Sequence, residues 1–364
     1  MNILYITHLS GSLSGGPSYS VPAQIQAQSK YDNVFWWNMT DAVLDSWKTV
    51  EAFHNKAQYP NKRISGLPSP FNHPDLVVFE DFYYIDDVYY ARECINNHIP
   101  YIIVPRGAFT YQGQSKKRIK KRIANLLFFN SMVRHAASIH YLTKREQEDS
   151  GDKWNNHWFI EPNGIYPVSN TIEKNHHKDV LNGTYIGRFD LFHKGLDLLY
   201  EAVVKMQAEL RKARITISLY GPEFGGQKEQ YIRNVAESNI SDILIIKDGV
   251  FGEEKKEILQ TSDFFIMTSR FEGMPMSMLE AMSFGLPCVA TIGTNMSEEI
   301  QKHNAGWISN DSVDGIIGAL RQMIDSRQDI EQLGENARKL SYNYNWDIIA
   351  QRTHKIYKEL GEEK

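Results

Sequence analysis

Two doubly wound α/β domains in series are predicted by three observations. Strand-like and helix-like runs alternate almost from end to end; 364 residues are more than a single core usually organises; and a charged, histidine-bearing stretch poor in apolar residues divides the chain near its middle. In the first half, short β-branched and aromatic runs predict strands at 2–7, 34–39, 76–79, 101–104 and 139–142, with helical spacing at 86–97 and 114–135 between them. In the second half, strands are predicted at 184–186, 215–220, 243–246, 264–267 and 287–290, each followed by a helical pattern. Such alternation demands crossover connections, hence parallel sheets with helices on both faces. The boundaries that follow are a first domain over 1–165, a linker over 166–183 containing Glu173-Lys-Asn-His-His-Lys, and a second domain over 184–344. Residues 345–364, periodic over 346–360, are expected to form a helix that packs back across the junction. Two doubly wound domains in series set their strand ends facing across a cleft, where ligands bind.

Bulk properties narrow the function classes. A net charge of −4 argues against a general nucleic-acid binder, and 42% hydrophobic with 23% charged residues is ordinary for a soluble globular chain. Cys94 and Cys288 lie far apart in apolar runs, which suits a reducing cytoplasm better than a disulfide framework. The opening residues read as a strand and not as a signal peptide, and no apolar run approaches the ~20 residues of a membrane span.

The chemistry concentrates in Arg270-Phe-Glu272-Gly273-Met274-Pro275-Met276-Ser-Met-Leu-Glu280. Glu272 falls at the end of a predicted buried strand, residues 273–276 open a helix, and Glu280 lies about a turn inside it. A helix N-terminus attracts phosphate, and carboxylates beside it suit hydroxyls. A diphosphate with hydroxyls at both ends, as in a nucleotide sugar, meets both demands. A capped helix with solvated carboxylates fits the motif alone equally well.

Other turns supply the rest. Ser14-Gly15-Gly16-Pro17 follows the first strand, where glycines permit positive φ and close backbone approach. Gly187-Arg188-Phe-Asp-Leu-Phe-His-Lys194-Gly195 follows another strand; Arg188 and Lys194 there suit the charge that grows on a departing diphosphate. Gly221, in a further strand-end turn, is a donor-binding candidate, and the turn after the next strand could hold a nucleobase against Val250 and Phe251. No Gly-x-Gly-x-x-Gly fingerprint accompanies them, which speaks against a nicotinamide cofactor.

Together these motifs, with Pro162-Asn163-Gly164, Gly285-Leu-Pro-Cys-Val-Ala, Ala305-Gly306 and Asn345-Trp346…Tyr357, make the chain resemble retaining nucleotide-sugar glycosyltransferases of family four, which have the two-domain, Rossmann-like GT-B fold. The resemblance runs nearly end to end. It implies that Arg188 and Lys194 hold the donor diphosphate, that Glu280 accepts from the ribose hydroxyls, and that Glu272 with the 273–276 amides positions the donor sugar. It places Gly15 and Gly16 against phosphate or acceptor. It also implies front-face substitution with retention, without a metal. Where many relatives have His-Gly after the fourth strand, this chain has Arg106-Gly107, so Arg106, with Ser14, is assigned to acceptor or phosphate. The expected reaction moves a sugar from a UDP-sugar, in preference to a GDP-sugar, to a glycan on a lipid carrier. The rival readings are a nucleotide-sugar epimerase and a non-catalytic sugar-nucleotide-binding protein of the same fold.

The sequence contains no Asp-x-Asp, His-Glu-x-x-His or cysteine cluster, so no metal or other cofactor is expected. The His176-His177 pair reads as solvated linker. Lys116-Lys-Arg-Ile-Lys-Lys-Arg122 gathers six cations in seven residues. It reads either as a dock for anionic membrane, on the inner face of the cytoplasmic membrane, or as a solvated helix start whose apolar continuation is core.

Overall fold

The computed structural model describes residues 1–12, 16–115, 117–151, 153–168 and 179–362. It divides into two units, Met1–Gly164 with Trp346–Lys364, and Ile165–Asn345.

The first unit holds a seven-stranded sheet of β1 (Asn2–Thr7), β2 (Asn33–Asn38), β3 (Phe53–Asn55), β4 (Leu76–Glu80), β5 (Tyr101–Val104), β6 (Ser138–Tyr141) and β7 (Trp158–Ile160). Their order is β3-β2-β1-β4-β5-β6-β7, and every pairing is parallel. The strands are apolar on both faces because helices cover both. Ile3, Tyr5, Val78 and Ile102 pack to one side, and Leu4, Ile6, Val77 and Ile103 to the other.

Helix Trp346–Glu362 belongs to this unit although 181 residues of the second unit separate it from Gly164. It lies on helix Pro17–Gln28 through Ala27, Trp346, Ile349 and Ala350, and its Tyr357 is fully buried with Ile3 and Tyr5. Arg352 grips Glu161 by a fork at 2.9–3.1 Å, and His354 meets Asp32 at 2.9 Å. A Cβ at Gly164 would sit 2.6 Å from the Trp346 ring, so glycine is required where the chain passes it.

The second unit holds β8 (Leu181–Ile186), β9 (Ile215–Tyr220), β10 (Leu244–Lys247), β11 (Phe264–Met267), β12 (Cys288–Thr291) and β13 (Gly306–Ser309). Their order is β10-β9-β8-β11-β12-β13, again all parallel. The order reverses between β8 and β11, and the strand ends there are where doubly wound sheets receive ligands.

Three differences from the expected elements have local causes. Strand β8 begins at Leu181, inside the stretch read as linker, because Leu181 is fully buried and pairs with Ile215. The single helix expected over 114–135 is interrupted: Lys117 stands at φ 55°, and one wider turn spans Asn125–Phe129. The short strands β3, β7 and β13 were not expected. Each has three or four residues at or near a sheet edge, too few for periodicity to register.

Candidate active site

The strand ends at the β8/β11 reversal bring together most of the predicted residues of the second unit. The loop after β8 carries Arg188 and Lys194 and then starts helix Leu196–Lys212. Gly195 makes that turn possible: its φ is +61°, and a Cβ there would lie 1.9 Å from the Thr268 carbonyl oxygen. Thr268, at the end of β11, closes the junction by donating its hydroxyl to the Gly195 carbonyl at 3.0 Å. Lys194 is thereby held against the segment containing Glu272.

Lys194 Nζ lies 2.6 Å from Glu272 Oε1, and Ser269 Oγ donates to the same oxygen at 2.6 Å. Only 9% of the Glu272 side chain and 12% of the Lys194 side chain are exposed. Burial pushes the Glu272 carboxyl upward, but Lys194 and the Ser269 hydrogen bond outweigh it and hold its pKa below the ordinary carboxylate value. Asn295 fixes the next turn by donating to the Glu272 and Gly273 carbonyls. His193 stacks on Phe271 at 4.1 Å; burial, then the neighbouring Lys194, lower its pKa, which favours the neutral ring.

Helix Met276–Ser283 starts directly after this carboxylate. The donors of that corner differ from expectation in one respect. Pro275 has no N–H, so it supplies no backbone donor to that corner. Met274 and Pro275 are themselves buried. Glu280 lies further along the helix, 34% exposed, ion-paired with Lys255 from helix Gly252–Thr261.

Arg188 rests over the Phe224 ring, its guanidinium carbon 4.9 Å from the centroid. Among the described residues no carboxylate pairs with it. Gly221 packs tightly beneath it, since a Cβ there would stand 2.2 Å from the Gly187 carbonyl oxygen. Lys228 ties the two strand-end turns together by donating to the carbonyls of Gly221 and Lys247 and to Asp248, at 2.8–2.9 Å. Phe251 is 41% exposed, whereas Val250 enters the hydrophobic core. Of that predicted pair, only Phe251 offers a side chain to a base.

In the first unit the predicted residues behave differently. Gly16 has φ −48°, so the positive φ expected of it is not used; nothing lies within 4 Å of where its Cβ would be, leaving room for close approach. Ser14, Gly15 and the His176-His177 pair lie outside the described residues. Arg106 stands at φ 47° and turns inward to meet buried Glu80 at 2.8–2.9 Å and Gln24 at 3.3 Å. The phosphate or acceptor role expected of it meets a guanidinium already committed to the interior. Beside it, His8 meets Asp87 at 2.8 Å and stacks on Tyr84 at 3.7 Å. Burial raises Asp81, at φ 82°, to a pKa of about 6.

Sequence reasoning missed Ser269, Asn295, Lys255, Lys228 and Phe224. Only Ser269 left a signal, being three residues from Glu272 at a strand end; the others are brought in by distant elements. Among the described residues no group of three His, Cys, Asp or Glu side chains could hold a metal, and no helix is long and apolar enough to cross a membrane.

The class is defined by two all-parallel Rossmann-like domains with a charged donor corner in the second: this is the GT-B fold. HepE of Anabaena in complex with UDP superposes on 99% of this chain and 100% of its own with a TM-score of 0.73 at 15% identity. The profile of the family described as Glycosyl transferases group 1 matches residues 172–340, most of the second unit. Over 48% of its length the chain is 27% identical to the MMP alpha-(1->4)-mannosyltransferase of Mycolicibacterium hassiacum, covering 42% of that protein. It is 35% identical over 27% of its length, and 25% of the relative's, to the UDP-Gal:alpha-D-GlcNAc-diphosphoundecaprenol alpha-1,3-galactosyltransferase of Escherichia coli. The chain thus spans less than half the length of both relatives. These matches support a glycosyltransferase.

Proposed function

We propose that the protein is a retaining glycosyltransferase that moves a sugar from a nucleoside-diphosphate sugar, UDP in preference to GDP, to a lipid-linked glycan. The observation that carries this reading is the Lys194–Glu272 pair at 2.6 Å, set at a strand end beside a helix N-terminus, with Arg188 near it and unpaired by any described carboxylate. In the proposed reaction the bond between the sugar's anomeric carbon and the diphosphate oxygen breaks as the acceptor hydroxyl oxygen bonds that carbon on the same face. The departing phosphate oxygen takes the hydroxyl proton. Lys194 and Arg188 stabilise the charge gathering on the diphosphate. Glu272, kept ionised, receives sugar hydroxyls, and Glu280 exchanges Lys255 for the ribose hydroxyls.

UDP is favoured because the Anabaena protein of like fold was solved with UDP and with UDP-glucose. The lipid-linked acceptor draws support from the diphosphoundecaprenol substrate in the name of the Escherichia coli relative. In this reading Lys194 and Arg188 take the part that a metal would play at the diphosphate.

The test is thermal stabilisation by UDP, GDP and ADP in the presence of a chelator, on wild type and on Glu280→Ala. Ligand at ~100 times its dissociation constant adds about 2.7 kcal/mol. A shift with UDP that shrinks in the variant is expected. Absence of a shift with every nucleotide would overturn the donor site.

A further inference from the structure

In the first unit, the segment that carries and follows the basic run becomes core only from Phe129 onward. Ile119, Ile123, Leu126 and Leu127 are 76%, 54%, 77% and 60% exposed. Their spacing of i, i+4, i+7 and i+8 places them along one helical stripe. The rest of the segment anchors it: Phe129, Met132 and Val133 are buried, Asn125 Nδ2 donates to Gln114 at 3.2 Å, and Lys121 Nζ lies 4.5 Å above the Tyr83 ring. Single exposed apolar side chains are commonplace, but an ordered stripe of four large ones is not. Arg118, Lys120 and Arg122 alternate with the stripe and are exposed. Lys116, the first cation of the run, lies outside the described residues.

We propose that this helix docks on an anionic lipid surface, lying in the interface with Ile119, Ile123, Leu126 and Leu127 inserted and Arg118, Lys120 and Arg122 at the headgroups. Charge decides between this occupant and a second copy of the chain. A two-fold interface would set the cationic face of one copy against the same face of the other, whereas anionic headgroups neutralise it while the acyl boundary accepts the stripe. The stripe also separates this mode from attraction by charge alone. Charge attraction vanishes when salt shortens the screening length, and apolar insertion does not.

The inference is independent of the donor-site reading, and its test keeps the two apart. The full chain is sedimented with phosphatidylglycerol-containing vesicles and with pure phosphatidylcholine vesicles, at about 0.1 M and about 1 M salt. Wild type is expected to pellet with the anionic vesicles at low salt and to keep a measurable fraction at high salt. Replacing Ile119, Leu126 and Leu127 together by Ser is expected to lower partitioning by at least about tenfold at both salts. Lys120→Glu with Arg122→Glu is expected to abolish the preference for anionic vesicles. Because all of these side chains are exposed, the variants should melt like wild type and keep its UDP response. Wild type that stays in the supernatant at low salt overturns the proposal. So does a triple Ser variant that binds like wild type, or a wild-type dimer in solution that this variant dissolves.

Discussion

Both sheets follow the same strand order through the reversal, yet they treat the charges at their strand ends in opposite ways. In the first unit Arg106 and Glu80, 8% and 1% exposed, neutralise each other, and His8 meets Asp87 at 2.8 Å beneath Tyr84. In the second unit Lys194 and Glu272 join two strand-end loops at 12% and 9% exposure, Lys255 and Glu280 join two helices at 21% and 34%, and among the described residues Arg188 meets the Phe224 ring and no carboxylate. A strand end whose charges satisfy each other in the interior is a scaffold. One that leaves a cation without a described carboxylate can receive an anion. Topology alone separates neither case.

The comparison breaks first if the buried pair of the first unit is expendable. Glu80→Gln removes the carboxylate paired with buried Arg106 and is expected to cost about 3–5 kcal/mol of that unit's stability while leaving UDP binding intact. Six of the seven tryptophans belong to the first unit, so urea unfolding followed by intrinsic fluorescence reads it almost alone. In the second unit, Lys194→Ala should lower turnover by roughly two to three orders of magnitude, as loss of a charge-stabilising donor does. Turnover near wild type would remove Lys194 from the diphosphate.

Asp81 sharpens the contrast through pH. Its folded pKa of about 6 stands above the ordinary unfolded value, so the folded state holds the proton longer. Stability should therefore fall as pH rises from about 4 through about 6 and then level off. Asp81→Asn, which tolerates the left-handed backbone, should flatten that profile and add about 2 kcal/mol at neutral pH. An unchanged profile would place the titration elsewhere. The smallest effect is expected at Glu280→Ala, about a tenfold loss of UDP affinity measured by calorimetry with the melting temperature of the unliganded protein preserved. An unchanged affinity would refute the ribose contact.

What the sequence could reveal depended on whether the signal was local. Strands β1, β5, β9 and β11 are buried apolar runs between turn residues, and their expected and observed limits coincide. The Glu272 and Glu280 motif was legible because one short segment supplies strand end, turn and helix. The partners that define the site were not: Lys255 reads as one more solvated lysine of an acidic-basic helix, and Asn295 as one more turn residue. Arg106 shows the converse, since its position suggested a ligand while Glu80, 26 residues away, claims it. The stripe beginning at Ile119 left two readings open for a different reason. Helical apolar spacing tells which residues share a face and not whether protein covers that face.

Helix Trp346–Glu362 makes the first unit discontinuous, and this bears on how the chain is born. A ribosome releases β1 to β7 early, but the side chains that complete their packing, Tyr357 beneath β1 and Arg352 on Glu161, are translated after the whole second unit. The second unit, contiguous in the chain, has all its strands before then. Order of synthesis and order of completion are therefore inverted. The nascent first unit must wait with part of its apolar surface uncovered while its younger neighbour matures, and nascent chains halted at Asn345 should expose it to a holdase or protease that leaves the second unit untouched.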